Sequence, residues 1–341
     1  MTRIDFDFSR YVAERKGGPH APERGGAAYA YPGDQKVLRA LSRVTPVTLA
    51  TEATVRLWKN VAKSEVLGTA VKVTDKQFAE IHDLVVACAD KLQIVPPTVY
   101  VAPDVGTLNA HTFGTNEDAY IVLNGVLIDH LSADELKFVI GHECGHIQNN
   151  HVVYMTALYY LMYSANLFLR WIVTPAVLAL QSWARRAEIT CDRAGLIACG
   201  DVDLALRAVI KLALGSRKLG DQVDIDEYLK QLTESQQSVG RIAEVMHSHP
   251  YLPKRAAALR RFGETHYFLK TRGEGDEAQG RSLDACDAEV ARILSIFRRA
   301  DRKERREGRD GHGSHDADDG GSAPDDGGSA PDDTGSGTTQ E

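Results

Sequence analysis

His142-Glu143-Cys144-Gly145-His146 is a run of residue types that could do chemistry together. The histidines are four apart, so on a helix they stand one turn, about 5.4 Å, from each other on one face. Two imidazoles so placed can reach a single zinc ion at about 2.0–2.1 Å. Glu143 follows the first histidine and points to the side. There it can take a proton from zinc-bound water instead of holding the metal. Gly145 has no side chain and leaves room beside the ion.

A catalytic zinc takes a third protein ligand and keeps one position open. The metzincin pattern would require glycine at 149 and histidine at 152. The chain has Asn149 and Val152, so that class fails. His151 is one position short, about 100° out of phase on a helix, which predicts a place at the surface or behind the ligands. A glutamate from a later helix is the remaining source. Glu188 and Asp192 are four apart and share a helical face. Glu188 can bind the metal while Asp192 accepts the free ring N–H of a ligating histidine. One Zn2+ per chain is expected.

These residues need elements to position them. Ser132-x-x-Glu135 is a capping box, and it predicts a helix that starts there and carries the HECGH run. Asp134 and Glu135 suit the positive end of its dipole. Leu136, Val139, Ile140 and Ile147 form its buried stripe. Ahead of it lie three β-prone stretches, 98–101, 108–113 and 119–123, separated by Gly106, Gly114 and Asn116. Helical spacing recurs over 76–92 and from Val37 to Val44. The class is α+β: a zincin-like metalloprotease domain, mainly helical with a small antiparallel or mixed sheet.

Residues 152–169 carry no charge, and 171–183 continue after Arg170. Two membrane crossings need about 40 residues, more than this stretch supplies. A single crossing would part His146 from Glu188. Two short helices forming a hairpin are expected, either packed in the domain or resting on a membrane surface through 152–183.

The glycines and prolines of 17–33 read as a flexible N-terminal arm, 1–33, with order beginning at Asp34. The metalloprotease domain is expected over 34–300. Residues 301–341 read as a disordered acidic tail, with Gly320–Asp326 repeated by Gly327–Asp333. The net charge of −7 belongs to that tail, since nine acids and one base lie beyond Glu307 and leave 38 acids against 39 bases before it. A near-neutral body excludes a basic nucleic-acid footprint, and the arginine-rich run 298–306 reads as a solvated helix end. Five cysteines without a C-x-x-C pair indicate reduced thiols and a cytoplasmic protein, with membrane association as the alternative. The N-terminus lacks the apolar core of a secretory signal.

Four motifs in order then resemble the HtpX-like and CAAX-prenyl-protease-like zinc metallopeptidases, peptidase family M48, over roughly 99–262. They are Asn109-Ala110, HECGH after Asp134-Glu135-Leu136, RRAEITCDRAG around Glu188 and Asp192, and Ser248-His249-Pro250 followed by Arg255. The resemblance implies a gluzincin with metal ligands His142, His146 and Glu188 and general base Glu143. It implies that Asn109 and Ala110 hold an extended polypeptide substrate by backbone pairing. It puts His249 near the cleft, either as an oxyanion donor or as part of a turn set by Pro250, and pairs Arg255 with an acid such as Asp192. Cys144 and Cys191 stand where small or aliphatic residues are usual. The expected activity is zinc-dependent endopeptidase. Its rivals are a protease kept latent by its arm or tail, and a non-catalytic binding module stabilised by zinc.

Overall fold

The computed structural model describes residues 26–41, 68–103, 109–115, 118–164, 167–235, 252–274 and 279–295, with a few isolated positions before 68. All belong to one compact unit, which ends at Ile296. The acidic tail, His249 and residues 1–25 lie outside the described residues.

The chain enters through helix α1 (Pro32–Leu41), then strand β1 (Val71–Lys72) and helix α2 (Ala79–Leu92). Strands β2 (Thr98–Ala102), β3 (Ala110–Gly114) and β4 (Ala119–Asn124) follow. The sheet order is β1-β2-β4-β3. It is mixed: β2 runs parallel to β4, and β3 pairs antiparallel with β4, Ala110 opposite Leu123. The three β-prone stretches are thus strands. The two exposed residues of β1 carry no alternation that would mark them as a fourth. The short helix α3 (Gly125–His130) leads to α4 (Ala133–Gln148).

The start of α4 is as its sequence dictates. Ser132 Oγ accepts from Glu135 N (3.2 Å), and Glu135 Oε2 accepts from Ser132 N (2.8 Å). Next come α5 (Val152–Ser164) and α6 (Leu167–Cys199). The expected second short helix of the hairpin is instead the first half of α6, continuous with the segment bearing Glu188. Pro175 lies inside it and removes one backbone hydrogen bond without ending the run. The base of the hairpin is packed in the domain: Leu38 and Leu41 of α1 meet Tyr154 and Leu158 of α5 and Leu180 and Trp183 of α6. No helix among the described residues is long and apolar enough to cross a membrane. Helices α7 (Val202–Leu214), α8 (Arg217–Gly220), α9 (Ile225–Ser235), α10 (Leu252–Gly263), α11 (His266–Thr271) and α12 (Leu283–Leu294) complete the unit.

Helices α4 and α6 pack against each other at glycine. A Cβ on Gly145 would stand 2.8 Å from Ala194 Cβ and 3.1 Å from Cys191 Cα. Gly145 is therefore needed for helix contact, not for room beside a metal. Cys144 and Cys191 are fully buried, and all five cysteines are free thiols.

The stretch 26–33, expected in the flexible arm, is ordered and packed. Tyr29 and Tyr31 are 3% and 6% exposed and join the main core. Two alternating tyrosines before Pro32, the first residue of α1, are the reason: each aromatic ring buries a large apolar area, and proline suits a helix start.

Candidate metal centre

Helix α4 supplies His142, Glu143 and His146, and α6 supplies Glu188 and Asp192. All five side chains are buried. The imidazole rings of His142 and His146 lie 5.2 Å apart, edge to face. His142 Nε2 is 3.6 Å from Glu188 Oε2, and His146 Nε2 is 3.6 Å from Glu188 Oε1. Each distance is just beyond hydrogen-bonding reach. One carboxylate therefore faces two ring nitrogens with a separate oxygen for each.

The supports behind them are close. Asp192 Oδ1 lies 3.0 Å from His142 Nδ1, which leaves Nε2 of that ring facing Glu188. Arg255, from α10, donates to both oxygens of Asp192 (2.9 and 2.6 Å) and lies 3.2 Å from Glu188 Oε2. The fork of a guanidinium fits such a two-point grip. Cys191 offers a further donor: its sulfur and a nitrogen of each histidine all lie within 4.8 Å of one another.

The charges agree with this layout. Burial alone would raise Asp192, but the charge and hydrogen bonds of Arg255 hold it below its ordinary range. Burial pulls His142 down, yet the Asp192 hydrogen bond and the charge of Glu188 outweigh it and leave it raised. Burial leaves His146 lowered. The Cys191 thiol is pushed well above its ordinary value by burial and by neighbouring carboxylates.

On the other side of α4, Thr112 of β3 donates its hydroxyl to Glu143 Oε2 at 2.6 Å. Nothing in the sequence singled out Thr112. Its position in the middle of a strand, three residues past Asn109, is the only available signal. Asn109 stands just before β3, where its carbonyl accepts from Asn124 N (3.1 Å). Ala110 opens β3, which lies at one edge of the sheet.

His151 is neither on the helix nor at the surface. Helix α4 ends at Gln148. Asn150 takes a left-handed conformation (φ 60°), Asn150 N donates to Ile147 O, and His151 N donates to His146 O. This paired closure is a Schellman turn. It swings His151 back beneath His146, where the two rings meet edge to face at 5.4 Å. Asn149-Asn150 was the signal, since asparagine tolerates the left-handed region.

A helix presenting two histidines and a glutamate beneath the edge of a small sheet, with a carboxylate delivered by the next long helix, is the architecture of the zincin class of metallopeptidases. Residues 75–262 match the model of peptidase family M48, and the chain belongs to that family. It is 34% identical to a plastoglobule-localized metallopeptidase 48 from the chloroplast of Arabidopsis thaliana, over 49% of each chain. It is 26% identical to a protease HtpX homolog of Halobacterium salinarum, over 56% of this chain and 80% of that one. The chain thus spans about half the length of the chloroplast relative. No solved structure matches it significantly. The family is one of peptidases.

Proposed function

We propose that the chain is a zinc endopeptidase with one Zn2+ held by His142, His146 and Glu188, and with Glu143 as general base. The observation that carries this reading is the facing of two imidazole nitrogens and both oxygens of one buried carboxylate, each pair 3.6 Å apart. Buried nitrogen and oxygen donors converging at that spacing suit a cation. Cys191 is the rival third ligand by distance. Glu188 is favoured because it faces both ring nitrogens with a separate oxygen for each, whereas Cys191 Sγ also stands 3.6 Å from His151 Nδ1.

Zinc, when bound, supplies Lewis-acid chemistry: it draws electron density from a carbonyl and makes water more acidic. The chain's own residues do the rest. Thr112 occupies Glu143 Oε2, so Oε1 is the oxygen that takes the proton and later returns it to the leaving amine. Asp192 holds the tautomer of His142, and Arg255 holds Asp192. The backbone at Asn109 and Ala110, on the rim of an edge strand, keeps its role as the rail for extended substrate. His249 is the remaining candidate for oxyanion stabilisation. A cytoplasmic enzyme that touched a membrane surface through 152–183 would present the exposed Tyr159 and Met162, towards the hairpin tip. Release from membranes by high salt or carbonate would test that contact.

Zinc content and casein hydrolysis, measured together, test the reading. Glu143→Gln should retain zinc and lose activity by about 10²–10⁴-fold. Glu188→Ala should lose zinc, while Cys191→Ala keeps it. If Cys191→Ala loses the metal and Glu188→Ala keeps it, the ligand set is wrong.

A further inference from the structure

The two histidines have unequal supports. Behind His142, Asp192 meets Nδ1 at 3.0 Å. Behind His146, Nδ1 has no hydrogen-bond partner among the described residues. The ring that backs His146 is His151. We propose that His151, seated by Asp34, is the positioning residue for His146, the counterpart on that side of Asp192. This inference rests on His146 being a metal ligand.

His151 is itself closely held. It and Asp34 are both fully buried. His151 Nε2 lies 3.0 Å from Asp34 Oδ2, a close polar contact and not an aligned hydrogen bond. Asp34 is fixed in turn: Trp183 Nε1 donates to Oδ1 (2.8 Å) and Thr190 Oγ1 donates to Oδ2 (2.7 Å). Trp183 also closes on the far side of His151, edge to face at 5.4 Å. Cys191 Sγ stands 3.6 Å from His151 Nδ1. A ring pinned on these sides, and by its own backbone to His146 O, has one conformation to offer. His146 must then take the orientation that fits against it. An aromatic edge-to-face pair is directional, so it can set a ring angle without a hydrogen bond.

Asp34 comes from α1, and the segment just before it lies across the same two helices. Tyr29 Oη donates to Gln148 Oε1 (2.6 Å), Tyr31 N to Thr190 Oγ1 (3.2 Å), and Arg193 Nη1 to Tyr29 O (3.0 Å). The stretch 26–34 is in this way part of the metal centre, although it contributes no ligand.

The test is zinc affinity by competition with a chelating dye, together with the visible absorption spectrum of the cobalt-loaded protein, which reports ligand geometry. His151→Ala should bind zinc about 10–100-fold more weakly, the usual loss when an outer partner of a metal ligand goes, and its cobalt spectrum should shift. The double variant His151→Phe/Asp34→Asn keeps a ring edge beside His146 and strands no buried charge. It should recover affinity to within a few-fold of wild type. Lys211→Met, which destabilises α4 far from the rings, should leave affinity and spectrum unchanged. If His151→Ala does not fold, His151→Leu takes its place. The proposal is overturned if the alanine or leucine variant binds zinc within twofold of wild type with an unshifted spectrum. It is equally overturned if the phenylalanine double variant is as weak as the alanine one, or if Lys211→Met lowers affinity alike. Failure of the ligand assignment looks different: wild type would bind no zinc, or His142→Ala would bind it normally.

Discussion

The two ends of α4 differ in how much of their support comes from distant segments. The first end is secured locally, by Ser132 and Glu135 bonding each other across three residues. A distant group joins them: Lys211 of α7, which bridges Glu135 and Asp221 at 2.7 Å each. The last end is closed locally by the turn at Asn150, and it is also tied to a segment far away in sequence. Asn149 Oδ1 accepts from Ala27 N, and Asn149 Nδ2 donates to Tyr29 Oη and to Gly145 O. Asp34 then holds His151 just beyond. A local cap stabilises a helix wherever it is. A long-range one also says which other segment must be present before the helix is complete.

The largest effect that could break this contrast is at Asp34. Asp34→Ala removes the acceptor for Trp183 and Thr190 and the partner of His151. Uncompensated buried partners of this kind cost about 3–5 kcal/mol. Urea unfolding of the metal-free protein checks it, and a loss below about 1 kcal/mol would mean that the far end has no long-range anchor. Acid should weaken the same anchor. Asp34 is held below its ordinary value, burial being outweighed by His151, Thr190 and Trp183. A depressed carboxylate contributes stability that is present above its unfolded value and lost as pH falls through its folded one.

Asn149→Ala should cost less, about 2–3 kcal/mol, because it leaves Ala27 N and Gly145 O without a side-chain partner. The same unfolding curves measure it. Wild-type stability in this variant would show that the 26–31 stretch is merely laid against α4.

Between the ends, the metal-binding face should answer to pH. His142 is raised above its ordinary value in the metal-free protein, so protons compete with zinc for its ring. Zinc affinity should fall as pH drops below that raised value, by about tenfold, or about 1.4 kcal/mol, per unit. Dye competition between pH 8 and pH 5 decides it, and a flat profile would remove His142 from the ligand set.

The smallest effect belongs to the local end. Ser132→Ala removes one cap hydrogen bond at a cost of about 1 kcal/mol. A loss as large as that at Asp34 would erase the difference between the ends.

The same contrast explains what was legible in the chain. Ser132-x-x-Glu135 and HECGH act within a few residues of themselves, so their spacing alone was enough to place them. Glu188 with Asp192 was readable because the pair repeats helical spacing. Lys211, Thr112 and Arg193 gave no such signal, since what each does is set by a neighbour brought close only by folding. Asp34 was visible as the start of order but not as a partner of His151. The reading of 17–33 as an arm failed at Tyr29 and Tyr31, where glycine and proline content hid two anchors. His151 lies behind the ligands, one of its two expected places, but it gets there through the turn at Asn150 and not by helical phase.

The length of α6 sets a mechanical tolerance. Its 33 residues make a rod of about 50 Å at about 1.5 Å per residue. Glu188 lies about 30 Å along it from Leu167, by the same rise. Metal–ligand distances hold to within about 0.2 Å, which over that arm corresponds to a tilt of about half a degree. A rod that swung freely about its far end would carry its carboxylate out of register with small thermal rocking. The fulcrum must therefore sit near the load. It does: Gly145 against Ala194 and Cys191, and Arg255 against Asp192, clamp the rod within two turns of Glu188. A bend at Pro175, beyond the clamp, would then leave the metal site in register.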